Sequence, residues 1–473
     1  MPTRAGAPHT YAARMTAPST DGVPGGFRTF LVLWSTQSLS VLGSALAGFA
    51  FNIYLTQTLY PLPSQKAQLA LALSATALAF GLTAILGAPL AGAWADRHDR
   101  RRIMIACDAL SGLVALVVAL LVLYARPPLA LLVGLMAVSG LLATFHGSAF
   151  DTSYSSLVPR AQLPRANGMM QTMWSLSGLA SPALAAAIIS LPALARGQGA
   201  LPWLAAFRDG VPLAMLVNAA SFVFAALVLT RLKIPSPVRS LERRPRGALL
   251  HDVTLGWRYI LARRPLLWLL LTFAVINFVT SPLGIYETLL VRFHFQPDWA
   301  ARGYTFETAL ALITTVASVG GVLGGVLVSA WGGLRARRVL GVLVPMIVSA
   351  GAQFVFGAST LLFVGAAALA VVGMMVPVMN AHSQSIWQAQ VPPELQGRVF
   401  SVRRLIAQFT SPVSVGLMGS LAGVLDPGLI VRVSSLVLIV FCAAQLLNTS
   451  LRRADEREWV ESLARDREAA RAA

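Results

Sequence analysis

Twelve runs of mostly apolar residues, each parted from the next by a short polar segment, leave this chain few folds to adopt. A helix needs roughly 20 residues to cross the hydrocarbon core of a bilayer, and a backbone placed there must satisfy its own hydrogen bonds. The runs lie at 29–57, 69–95, 102–125, 129–157, 168–191 and 212–232, then at 266–291, 308–331, 339–358, 361–387, 402–424 and 429–448. With 12% charged residues, half the soluble norm of about 25%, they predict an all-α membrane protein of twelve transmembrane helices. Runs longer than the minimum are absorbed by tilt or breaks.

The net charge of +18 is scattered among the loops rather than gathered on one face, which argues against a nucleic-acid partner. It sets topology instead. If both ends share one side, that side holds 30 of the 37 Lys and Arg, leaving Lys66, Arg126, Arg196, Arg208, Arg292, Arg302 and Arg432 opposite. Such a bias places both termini in the cytoplasm. Cys107 and Cys442 both fall inside apolar runs and are expected as free thiols.

The chain repeats itself. Val158-Pro159-Arg160-Ala161-Gln162-Leu163 is echoed by Val391-Pro392-Pro393-Glu394-Leu395, Ala180-Ser181-Pro182 by Thr410-Ser411-Pro412, and Trp94 to Arg102 by Trp331 to Arg338, at separations of 230 to 237 residues. Three matches in order indicate a duplicated six-helix unit. The predicted organisation is a disordered cytoplasmic tail (1–27), an N-terminal bundle (28–232), a cytoplasmic linker (233–264), a C-terminal bundle (265–450) and a cytoplasmic helix (451–473). In the linker, Leu249, Val253, Trp257, Ile260 and Leu261 at helical spacing beside Arg258, Arg263 and Arg264 predict an interfacial amphipathic helix. It reads as a tether or as a partner-binding element.

The loop after the second run is Gly92-Ala93-Trp94-Ala95-Asp96-Arg97-His98-Asp99-Arg100-Arg101-Arg102, with four basic and two acidic residues within seven positions. Gly92 permits close helix approach, and Asp96 is placed to accept hydrogen bonds from a helix N-terminus or an Arg. This spacing resembles the G-x-x-x-D-R-x-x-R-[KR] signature of the major facilitator superfamily. With the entry Trp34 to Ser44, Leu157-Val158-Pro159, Arg165-Ala166-Asn167 and Val391 to Val399, the chain resembles the branch containing enterobactin exporters and macrolide-efflux permeases.

The resemblance implies two pseudo-symmetric bundles that rock about a midplane site, with ion movement coupled to export. It implies a gating role for Gly92, Asp96, Arg97, Arg100 and Arg101, and a bacterial inner-membrane location. The antiporter signature of the fifth span appears as Ser177-Gly178-Leu179-Ala180-Ser181-Pro182, with small residues in place of Gly. Ser177, Gly178, Ser181, Pro182 and, in the second half, Pro412 therefore mark a close-packing motif. The Arg usual in the fourth span of related antiporters is absent, and His146-Gly147 stands there. Gly333 replaces the motif Asp in the second half.

Ionisable groups inside a membrane are functional candidates by default. Asp108 and Asp151 are expected about two turns from the inner face, where with Asp96, Arg97 and Arg100 they form either a gate network or a static cluster. His146 and its rough pseudo-symmetric counterpart His382 are candidates for proton exchange, because imidazole changes charge between pH 5 and 8; a helix-packing role is the alternative. Glu287, beyond a break expected at Ser281-Pro282-Leu283-Gly284, is a third candidate, or else a local partner at the outer interface.

Cavity-facing positions of spans one, four, seven and ten would supply Gln37, Ser38, Phe51, Asn52, Tyr54, Asn277, Phe278, Tyr286, Asn380 and Gln384. Aromatic and uncharged polar groups suit a bulky amphipathic molecule, and no basic residue is expected at the midplane. No G-x-S-x-G, H-E-x-x-H, P-loop or paired-Cys metal motif occurs, which argues against an enzyme, a metal, a cofactor or ATP drive. The expectation is a monomeric, proton-coupled exporter of a drug, a macrolide-like compound or a siderophore. The alternatives are a lysophospholipid or metabolite carrier, an importer, or a non-transporting receptor.

Overall fold

The computed structural model describes residues 25–124, 126–159, 162–198, 201–234 and 248–472. All but the last three residues of the expected tail, and the linker arginines 239, 243, 244 and 246, lie outside the described residues. The first half comprises α1 (Gly26–Ile53), α2 (Lys66–Ala95), α3 (Arg100–Tyr124), α4 (Leu129–Leu157), α5 (Leu163–Gln198) and α6 (Val211–Arg231). The amphipathic segment is α7 (Ala248–Ala262). The second half comprises α8 (Arg264–Thr280), α9 (Leu283–Phe293), α10 (Phe306–Trp331), α11 (Leu340–Ala358), α12 (Leu362–Gln390), α13 (Pro393–Leu421) and α14 (Pro427–Leu447), followed by α15 (Arg457–Ala472).

Helices α8 and α9 are one span, interrupted at Ser281-Pro282 where the proline lacks a backbone N–H. Counted so, eleven spans among the described residues combine the length and hydropathy needed to cross a membrane. The twelfth, α13, has 29 residues but carries Arg398, Arg403 and Arg404. Apolar runs understate some helices: α5 extends over 36 residues, past the 168–191 run, because a helix need not end where lipid does. Past Ile53, α1 continues as a π-helix, Tyr54–Leu59.

The halves repeat in packing as in sequence. Helix α2 lies on α4 as α10 lies on α12, α3 on α6 as α11 on α14, and α1 on α5 as α8 on α13. Small residues permit these approaches: a Cβ on Gly140 would run into the Phe80 carbonyl oxygen, and one on Gly324 into that of Met374. Thr83 Oγ1 and Thr144 Oγ1 add hydrogen bonds from α2 to the Ala137 carbonyl (2.9 Å) and from α4 to the Ala84 carbonyl (3.2 Å).

Gly26, the 96–99 turn, α7 and α15 lie on one side, here the chain-end face; the opposite side is the far face. Between the halves, α2 meets α13 and α5 meets α10. At the far face a single buried core joins both halves, running from Leu46 and Leu73 to Ile285, Phe306 and Ala422. Toward the chain-end face the core divides: Phe30, Met104 and Leu157 belong to one cluster of the first half, Leu266, Trp387 and Val399 to another of the second. The buried core is thus continuous across the halves at the far face and divided between them at the chain-end face.

Outside the spans, Asp298 accepts a hydrogen bond from the Leu362 backbone N–H (2.9 Å) at the start of α12, and one from Arg302 (3.1 Å). That amide and then the guanidinium hold its carboxyl below the usual carboxylate range. A lowered folded-state pKa contributes stability that is present above the unfolded value, about 3.9, and lost as pH falls through the folded value. Asp298→Asn should therefore lower the unfolding temperature at pH 7 and flatten its decline below about pH 4, as read by thermal unfolding in detergent. An unchanged midpoint and acid profile would deny Asp298 this capping role.

Candidate functional site

The loop joining α2 to α3 is shaped by its charges. Asp99 Oδ1 accepts from the Arg102 backbone N–H (3.2 Å), an N-cap for α3. Arg100 donates to the carbonyls of Ala95 (3.4 Å) and Thr152 (3.1 Å), binding the loop to α4. Arg101 donates to the carbonyls of Leu229 (2.8 Å) and Thr230 at the end of α6, where a cation suits the helix dipole. Asp96 ends α2, is exposed with its neighbour Arg97, and among the described residues its carboxylate has no partner. Gly92 has open space beside it, with no neighbour within 4 Å of a Cβ built there.

Contacts between α2 and α13 run antiparallel: Ala67 faces Gly423, Ser74 faces Gly419, Leu78 faces Gly416 and Gly81 faces Pro412. Extended down both helices, this register brings Asp96 level with Gly397, in the second turn of α13.

Deeper in the first half, three helices converge on one carboxylate. Asp108 of α3 is 1% exposed; His146 Nε2 of α4 lies 3.3 Å from its Oδ1, and Gln37 Nε2 of α1 donates to its Oδ2 at 3.5 Å. The His146 nitrogen is off the line of a hydrogen bond, so this is an electrostatic contact. Asp151, one helix turn beyond His146, is exposed and within electrostatic reach of Arg404 on α13, in the other half, and of His146. Asp108 and Asp151 thus sit in two different settings.

His382, the counterpart of His146, is engaged on both sides. Its Nδ1 donates to the Val378 carbonyl (2.7 Å) and its Nε2 accepts the Leu334 N–H (2.8 Å), which demands the neutral Nδ1–H tautomer. It clamps the Gly332-Gly333 turn, whose two φ angles are 77° and 75°. Glu287 of α9 is packed so that its Oε1 is buried without a hydrogen-bond partner. Arg292 turns away from it, toward the Pro61 carbonyl (3.0 Å) of the first half.

Of the residues expected to line a cavity, Phe51, Tyr54 and Tyr286 lie in the far-face core, and the Tyr286 hydroxyl donates to the Met418 carbonyl at 3.0 Å. Gln37 is bound to Asp108, Ser38 to the Trp34 carbonyl (2.7 Å), and Asn52, Asn277 and Phe278 are half-buried. Asn380 is exposed. Gln384 accepts a hydrogen bond from Arg403 (2.7 Å), whose guanidinium also donates to Ser383 (3.3 Å) and lies over Trp387. Sequence reasoning expected no basic residue at such depth, yet Arg403 stands about 15 Å along α13. Its signal was the Arg403-Arg404 pair just inside the eleventh run. In the close-packing motif Ser177, Ser181, Pro182 and Pro412 are buried, and the Gly178 carbonyl accepts from Ser318 of α10 (3.2 Å).

The halves meet along a seam of two helix pairs, α2 with α13 and α5 with α10, and toward the chain-end face charged groups stand on both sides of it. The chain is similar to macrolide efflux protein A of Streptococcus pyogenes, 24% identical over 399 residues, covering 82% of this chain and 87% of that one. It is also similar to the enterobactin exporter EntS of Shigella flexneri, 23% identical over 398 residues, covering 84% and 86%. A bacterial homologue of the human lysosomal transporter Spinster, crystallised inward-facing and unoccupied, shares the fold at TM-score 0.62 and 16% identity, over 92% of this chain and 98% of that one. The family model of the Major Facilitator Superfamily matches residues 33–444. With two six-helix halves meeting at α2/α13 and α5/α10, this multi-pass membrane protein belongs to the Major Facilitator Superfamily of transporters.

Proposed function

We propose that this chain is a proton-coupled exporter that moves a hydrophobic or amphipathic organic molecule out of the bacterial cytoplasm by alternating access, without chemistry on its substrate. The observation that carries this is the division of the buried core: joined at the far face, split at the chain-end face. The sequence assigns 30 of 37 Lys and Arg to the side of the chain ends, which makes that side cytoplasmic, so the divided end of the core faces the substrate's source. Relatives named for macrolide and enterobactin efflux favour export.

The proton passes through the His146–Asp108 pair and Glu287. A buried charge costs several kcal/mol unless paired, and proton binding relieves that cost in step with the conformational change. Exposed Asn380, Asp151 and Arg404 meet polar parts of the cargo. Proteoliposomes with an imposed pH gradient, presented with dyes, macrolides and siderophores, should accumulate at least one class in proportion to the gradient. Binding without flux, or flux that needs ATP, would overturn the proposal.

The gate is Asp96. As the cytoplasmic side closes, its carboxylate approaches the N-terminal end of α13, where the helix dipole favours an anion. Asp96→Asn should leave substrate binding within twofold and slow transport at least tenfold, since an amide is a weaker acceptor there. Flux equal to the parent's would reduce Asp96 to a helix end.

A further inference from the structure

A second polar site lies far from the chain-end face. At the far face, where α1, α3 and α6 end or begin, a cavity of about 270 Å³ is lined by Tyr54, Thr58, Tyr124, Arg126, Arg208 and Asp209. Tyr54, which lines the cavity, is only 1% exposed, and its hydroxyl is buried without a hydrogen-bond partner among the described residues. A buried hydroxyl left unpaired costs about 1 to 3 kcal/mol, which an acceptor reaching it would relieve. Arg126 and Arg208 are exposed, and among the described residues neither guanidinium is paired. Asp209 Oδ1 accepts from the Val211 N–H (3.0 Å), which caps α6.

Two guanidiniums and a phenol converging on one cavity match the oxygens of a phosphate group, which Arg binds bidentately. Among the described residues, basic groups are scarce on this face, seven in all, and two of the seven line this cavity. The single carboxylate beside them supplies the complement for a cation. The cavity lies at the level where a spanning helix emerges among head groups.

We propose that this cavity binds a phosphate carried next to an amine, with the phosphate on Arg126, Arg208 and the Tyr54 hydroxyl and the ammonium at Asp209. A phospholipid head group and a free phosphoamine share this chemistry. Full-length protein, purified in detergent and stripped of lipid, is titrated with O-phosphoethanolamine, short-chain phosphatidylethanolamine and short-chain phosphatidylglycerol, by calorimetry and native mass spectrometry. Binding of the ethanolamine lipid alone assigns the site to the membrane. Equal binding of O-phosphoethanolamine assigns it to a solute.

Arg126→Gln and Arg208→Gln should each weaken binding at least tenfold, and Tyr54→Phe about fivefold. Asp209→Asn should remove the preference for ethanolamine over glycerol. Because Arg126 and Arg208 are exposed, their variants are expected to fold, and Arg→Lys at either position should retain part of the affinity. Absence of binding by all three ligands, or affinities indifferent to both Arg→Gln changes, would overturn the assignment.

Discussion

Asp108→Asn is expected to stop gradient-driven transport while leaving a folded protein in the membrane. The side chain keeps its shape, and the amide still meets Gln37 of α1, so the junction of α1, α3 and α4 survives. What disappears is the charge facing His146 at 3.3 Å in a site 1% exposed. A loss on the order of a hundredfold in flux is expected, about 2.7 kcal/mol on the transport barrier. His146→Gln should cost as much and reduce the dependence of flux on the pH gradient. If the two residues act as one unit, the double variant is no slower than either single one. Losses that multiply, or a parental dependence on the gradient in His146→Gln, would remove the pair from the proton path.

The second large effect concerns folding. In α10 and α12 the backbones cross so closely that a Cβ on Gly320 would run into the Ala370 carbonyl oxygen, one on Gly324 into that of Met374, and one on Gly373 into that of Ala317. Backbone cannot swing aside as a side chain can, so Gly324→Val forces the helices apart. A cost of about 3 kcal/mol or more is expected, with sharp loss of monodisperse protein and a lowered unfolding temperature. Gly325, the next residue, has no neighbour within 4 Å of a Cβ, and Gly325→Ala should be nearly neutral. Equal behaviour of the two variants would show that the crossing is softer than its geometry. Gly140 on α4, against the Phe80 carbonyl, makes the same contact in the first half and predicts the same sensitivity.

The glycines are visible in the sequence, but Gly324 and Gly325 are indistinguishable there; only the rotation of α10 sets one against α12 and leaves the other free. Asp108 and His146 were both legible as ionisable groups in apolar runs, yet nothing in their spacing joined them. His382 appeared in the sequence as the twin of His146, while its two hydrogen bonds make it the clamp of a glycine turn. Arg403 was visible in the chain and its depth was not, because helix α13 begins nine residues before its apolar run.

Chain chemistry by itself determined the number and order of the spans, the duplication, the break before Leu283 and the amphipathic helix before Arg264. Each of these is a property of some twenty neighbouring residues, and a bilayer reads them locally. Tertiary structure alone decided which groups meet across helices and which face is shut: Phe51, Tyr54 and Tyr286, read as cavity residues, lie in the core that closes the far side. The reason is geometric. Hydropathy places a helix in the membrane but leaves its rotation and its partner to packing, and a transporter that alternates between closures holds the same sequence in both.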